Sequence, residues 1–151
     1  MTRPGRVIGV DLGSKRIGIA TSDSSGTLAS PLTVLLRSGN TQRDHRAIND
    51  IVVEYEAERV VVGLPLSLDG SIGKAAQGAL DEIKKMAATI TVPVEPWDER
   101  LSTVTAHEKL MEQRMRAEAR RRIVDKIAAA VLLQGWLDAQ HEVDRLAGET
   151  R

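Results

Sequence analysis

The 151 residues contain no cysteine and no phenylalanine, one tyrosine and two tryptophans, and no surplus of charge. Without cysteine the chain can build neither a disulfide nor a thiolate metal site, and it has no thiol nucleophile. Tyr55, Trp97 and Trp136 are too few to form a platform on which successive bases of a single strand stack. Lys plus Arg and Asp plus Glu both total 21, which argues against a protein that coats nucleic acid by bulk electrostatics. No apolar run approaches membrane-spanning length, and Met1 to Gly5 carry no apolar segment of the secretory kind. The expectation is a cytoplasmic protein with no membrane partner. Internal repeats, low-complexity segments and dividing linkers are also missing. With 42% hydrophobic and 28% charged residues, the chain reads as a single domain over 1–151, with its ordered core at about 6–140.

What is present is organised around Gly9-Val10-Asp11-Leu12-Gly13-Ser14-Lys15-Arg16-Ile17-Gly18-Ile19-Ala20. Two apolar runs, 6–12 and 16–21, flank a Gly-Ser turn, and a Gly13 free to take positive φ predicts an antiparallel hairpin. Val7, Ile8, Gly9 and Val10 are apolar at successive positions, so both faces of the first strand should be covered. Into that strand the sequence puts one carboxylate, Asp11, which is costly to bury unless a cation pairs with it. Gly9 shares its strand face, and Gly18 and Ala20 alternate on the partner strand, leaving room around it. The plainer alternative is that Asp11 begins the turn.

A third strand over 26–36 meanders back, and Pro31 within it predicts an edge position. Residues 37–42 read as loop, and 43–55 as an amphipathic helix. The β-branched run 59–64 predicts a parallel strand of an α/β layer, followed by a Gly/Ser/Pro loop at 65–71. A second helix is expected over 72–88 and a fifth strand over 90–94. Two helices follow, from Ser102 or Thr103 to about Gln113 and from Ala117 to about Gln140. The fold class is thus α/β: a five-stranded mixed sheet, a three-stranded antiparallel meander plus two parallel strands, flanked by about four helices. The three histidines, His45, His107 and His141, fall among charged residues and read as surface positions.

Two more carboxylates stand out. Glu99 lies just past the fifth strand, and Asp125 shares a helix face with Ala129, Leu132 and Trp136, the side expected to meet the sheet. Each has a simpler explanation in an ion pair, with Arg100 or another arginine for Glu99 and with Arg121 or Lys126 for Asp125. Together with Asp11, however, they would repel one another unless a cation holds them ionised. All-oxygen ligands suit Mg²⁺ or Mn²⁺, and no His or Cys set points to zinc. Two such ions roughly 3.5–4 Å apart can hold the attacking and leaving oxygens of a phosphoryl displacement, which is nuclease chemistry. A basic stretch supplies Arg114, Arg116, Arg120, Arg121, Arg122 and Lys126 against Glu118 and Asp125. It is either a solvated helix face or a set of phosphate contacts.

Asp11-Leu12-Gly13 with Ile17-Gly18-Ile19-Ala20, Val62-Gly63-Leu64-Pro65-Leu66 with Asp69-Gly70, Asp98-Glu99-Arg100-Leu101-Ser102-Thr103, and Val124-Asp125 before Ala128-Ala129 and Leu132-Leu133-Gln134 resemble the YqgF/RuvX family. The resemblance runs from about Arg6 to Leu137, and the Asp-Glu-Arg-Leu-Ser-Thr block is its most specific part. It implies a ribonuclease-H-like fold and a metal-dependent endonuclease of ribosome biogenesis, processing the 5′ end of pre-16S rRNA. Alternatively it implies a Holliday junction resolvase acting on four-way DNA. Asp11, Glu99 and Asp125 would then be the catalytic, metal-binding carboxylates for Mg²⁺ or Mn²⁺. Lys15, Arg100, Arg120, Arg121 and Arg122 would contact structured nucleic acid, in a monomer or homodimer. Several ribonuclease-H-like enzymes carry a fourth carboxylate three residues before the third; here that place is Arg122, which leaves three ligands. Two rival readings are an ATP-binding half-domain of the actin/sugar-kinase type, which shares an Asp-x-Gly loop, and a non-catalytic module that docks nucleic acid through Arg120 to Arg122.

Overall fold

The structure, a computed structural model, describes residues 5–65, 71–98 and 121–149, and in the last stretch the side chains of 127–143 and 145. The elements follow in the order β1 (Val7–Leu12), β2 (Arg16–Ser22), β3 (Ala29–Leu36), α1 (Thr41–Glu54), β4 (Arg59–Leu64), α2 (Lys74–Thr89), β5 (Val94–Asp98) and α3 (Arg121–Glu149). The five strands form one sheet in the order β3-β2-β1-β4-β5. β1, β2 and β3 pair antiparallel, whereas β1, β4 and β5 run parallel. This is the mixed sheet expected from the residue patterns. Among the described residues there are three helices; the helix expected over 102–113 lies outside them.

Strand alternation divides the core into two. Ile8 and Val10 of β1, Ile17 and Ile19 of β2, and Val60 and Val62 of β4 pack against Ile48 and Val52 of α1 and Ile83 and Met86 of α2. On the opposite face Val7, Ala20 and Val61 meet Ala129, Leu133, Trp136 and Leu137 of α3. Those α3 residues recur at the spacing of one helix stripe, which is how this part of the helix packs on the sheet. No helix among the described residues is long and apolar enough to cross a membrane.

Three boundaries differ from expectation. The fifth strand is Val94–Asp98, not 90–94. Pro96 sits inside it, opposite Val62, and is tolerated because β5 is an edge strand. Ile90 instead closes α2 and is buried in the core. The last helix continues to Glu149, nine residues past the expected Gln140. Pro31 does mark an edge: β3 is the other outer strand, and the β2–β3 register shifts where Ala20 meets Pro31.

Candidate active site

Asp11 is the fifth residue of β1, at the rim where the parallel strands β1, β4 and β5 all end. It lies directly opposite Gly18, so the residue paired with it on β2 carries no side chain. By alternation with Val7 it belongs to the face covered by α3. Gly9, two residues earlier on that face, lies close against α3. A Cβ there would lie 2.8 Å from Leu133 Cβ and 3.2 Å from the Ala129 carbonyl oxygen. Glycine at 9 therefore sets the distance between α3 and the strand that carries Asp11.

The turn after Asp11 is held from several sides. The Gly13 N–H donates to the Arg16 carbonyl at 2.9 Å. A Cβ on Gly13 would sit 2.5 Å from that oxygen. Close approach requires this glycine; among the described residues the glycines with positive φ are Gly26 and Gly39. Arg37, which follows β3, donates its Nε–H to the Gly13 carbonyl at 2.7 Å and its backbone N–H to the Lys15 carbonyl at 2.9 Å. Its two remaining nitrogens grip both carboxylate oxygens of Glu82 at 3.0 and 3.1 Å, a bidentate pair. Glu82 also meets His45 Nε2 at 2.8 Å. Burial pushes the Glu82 carboxyl up, but hydrogen bonds and charge from Arg37 and His45 outweigh this and leave it below its ordinary value. A chain of contacts thus runs from α1 through α2 to the turn beside Asp11.

His45 corrects the sequence reading: it is buried, not a surface residue. Its partner lies 37 residues away on α2, a separation at which no local pattern shows the pair. His141 is half-buried and meets the Gly26 carbonyl at 2.9 Å. His107 lies outside the described residues. Arg37, read as loop, and Glu82 do not stand out in the sequence either. Both line a cleft of about 300 Å³ at this rim, together with Asp11, Gly13, Gly63 and Pro65.

Of the other expected site residues, Lys15 is exposed in the β1–β2 turn. Arg121, Arg122 and Asp125 belong to the first turns of α3, their side chains outside the described set. Asp125 precedes Ala129 by one helical turn, and Ala129, Leu132 and Trp136 are buried as expected of that face. Glu99, Arg100 and Arg120 lie outside the described residues. Among the described residues no three His, Cys, Asp or Glu side chains gather closely enough to hold a metal ion. Gln134 fastens the start of β3 to α3, since its amide accepts from the Ala29 N–H at 2.9 Å and donates to the Thr27 carbonyl at 3.0 Å.

Residues 5–139 match the family described as "RuvX: Holliday junction resolvase". A relative from Mycobacterium sp. (strain KMS), named "Putative pre-16S rRNA nuclease", is 43% identical over 146 residues, covering 96% of this chain and 86% of that one. A Rhodococcus opacus (strain B4) relative of the same name is 48% identical over 138 residues, covering 89% and 78%. Among solved structures, Thermus thermophilus RuvC in complex with a Holliday junction substrate is similar with a TM-score of 0.60, at 18% identity, over 91% of this chain and 96% of that one. This likeness is one of fold. A five-stranded mixed sheet with α3 on one face, an acidic residue at the end of its central strand, and relatives of this kind lead to one assignment: the chain belongs to the RuvX family and is a nuclease on the ribonuclease-H-like fold.

Proposed function

We propose that this nuclease is a metal-dependent endonuclease that trims the 5′ end of pre-16S rRNA, in the cytoplasm, as part of ribosome biogenesis. The names of its relatives support the substrate. The observation that carries the chemistry is the packing of α3 on β1. Gln134 and His141 bind the turn region at Gly26 to Ala29, beside the start of β1, so α3 runs antiparallel to that strand. Gly9 lies against Ala129 and Leu133. Two residues further along β1, about 6.6 Å, and one turn back along α3, about 5.4 Å, lead to Asp11 and to position 125. This supports Asp11 and Asp125 acting together, with Glu99, which directly follows β5, as the third member.

The fit to a divalent cation rests on donor chemistry and on space. All three groups offer carboxylate oxygens, and the residue opposite Asp11 on β2 is a glycine, which adds no side chain beside it. Asp11, Glu99 and Asp125 would hold Mg²⁺ or Mn²⁺; when bound, such an ion supplies Lewis acidity toward the phosphodiester and acidifies its water. The chain's own contribution is position. β1 is paired on both sides and fixes the Asp11 backbone, the Arg37 contacts fix the turn beyond it, and Lys15 stands exposed at that turn. Arg121 and Arg122 open α3 at the same end of the sheet, where they would hold backbone phosphates, with Arg100 and Arg120.

The family description favours a second reading, resolution of four-way DNA. Cutting such a junction symmetrically calls for a homodimer, whereas trimming an rRNA end needs one copy. The test is a Mn²⁺-dependent cleavage assay on pre-16S rRNA, single-stranded RNA and a four-way junction, with wild type and Asp11→Asn side by side. Cleavage of the rRNA precursor by the wild type alone is expected. Equal activity of both proteins would remove Asp11 from the chemistry, and preference for the junction would establish the second reading.

A further inference from the structure

Two buried side-chain nitrogens have no hydrogen-bond partner among the described residues: Trp97 Nε1 and Arg16 Nε. A native structure satisfies nearly all such groups, so each exception asks for a cause. Trp97 packs with the apolar cluster under α3. Arg16 carries a charge, and its place in the sheet is informative.

Arg16 opens β2. Ile17 and Ile19 face α1 and α2 and Ala20 faces α3, so alternation puts Arg16 on the α3 face with Gly18 and Ala20. Asp11 pairs with Gly18, which makes Arg16 its diagonal neighbour on that face, with Cα atoms about 7–8 Å apart. The position beside Arg16 on β3 is Leu36, which offers no acceptor, and Leu36 is exposed, so this part of the rim is open to solvent. Three basic residues surround the turn, and they differ in what they already do. Arg37 is occupied by Glu82 and the Gly13 carbonyl. Lys15 is exposed. Arg16 holds a buried N–H that lacks an acceptor among the described residues.

We propose that Arg16 binds a non-bridging oxygen of the substrate phosphodiester at, or next to, the phosphate presented to Asp11. This deepens the reading of Asp11 as part of the active site and rests on it. Guanidinium is suited to the role, since it is always charged and its planar fork matches phosphate oxygens two at a time. The ligand class is the phosphodiester itself, which RNA and DNA share. The buried N–H is a cost in the free protein; Arg16 as a whole is only partly buried, and a turn of its guanidinium toward an arriving phosphate gives that N–H an acceptor.

The experiment measures binding of fluorescein-labelled pre-16S rRNA fragment, and of a labelled four-way junction, by anisotropy across a salt series in metal-free buffer. Wild type, Arg16→Gln and Arg16→Lys are compared, each with its Tm. Arg16→Gln should weaken binding about tenfold to a hundredfold and reduce the slope of log affinity against log salt by about one. Its Tm should stay level or rise, and Arg16→Lys should recover the salt slope with only part of the affinity. The RNA and DNA arms show which polymer supplies the phosphate. An unchanged affinity and slope, a Tm lowered by several degrees in Arg16→Gln, or a wild type that binds neither polymer would overturn the proposal. Failure of the Asp11 reading looks different: wild type and Asp11→Asn would cleave alike while the Arg16 effect on binding persisted.

Discussion

Toward α1 and α2, strands β1 and β2 present Ile8, Val10, Ile17 and Ile19, all fully buried among large aliphatic partners. Toward α3 the same strands present Val7, Gly9, Asp11, Arg16, Gly18 and Ala20. One face spends its positions on volume, the other on small residues and charge. Close-packed aliphatic side chains are what hold a fold together. Small residues let a helix backbone approach a strand and keep space beside a carboxylate. Packing volume and the proposed chemistry thus fall on alternate residues of the same two strands.

The substitutions that test this division range widely in effect. Asp11→Asn should lower cleavage by orders of magnitude while leaving Tm unchanged or slightly higher, because removing one carboxylate relieves repulsion in the proposed acidic site. Parallel activity and melting curves check it, and a matching loss of stability would erase the contrast between faces. Ile19→Ala, on the other face, should cost about 2–5 kcal/mol in urea unfolding with little effect on turnover of the folded enzyme. Gly9→Ala should fall between them. Its Cβ would press on Leu133 Cβ and the Ala129 carbonyl, costing about 1–3 kcal/mol and also lowering activity as α3 moves away. Normal activity in the Gly9→Ala protein would show that the helix distance does not matter.

The smallest effect concerns the contacts behind the turn. The Glu82 carboxyl lies below its ordinary value of 4.5 in the folded protein. A depressed acid adds stability above its unfolded pKa and loses it as pH falls through the folded one. Melting temperature should therefore drop more steeply below about pH 4.5 in wild type than in Glu82→Gln. Coincident pH curves would mean that Arg37 and His45 do little for Glu82.

The sheet is readable in the sequence because its signals are local. Apolar runs of strand length, Gly13 at a turn and Pro31 at an edge each follow from a few adjacent residues. Asp11 is readable for the same reason, a lone carboxylate in a covered strand. The pattern puts β5 four residues too early, because Pro93 and Pro96 read as its limits, whereas an edge strand accepts Pro96 within. The Arg37–Glu82–His45 contacts join residues 37 to 45 positions apart across three segments, and nothing in a local window marks them. Arg16 does not stand out beside Lys15, since a buried N–H without an acceptor among the described residues becomes visible only when its neighbours Gly18 and Leu36 are known.

The most direct measurement is anomalous diffraction from crystals of the protein soaked in Mn²⁺. A peak bounded by the carboxylates of Asp11, Glu99 and Asp125, lost in crystals of Asp11→Asn, is the predicted result. Manganese bound elsewhere, or Asp11 paired to an arginine with the ion absent, would contradict it.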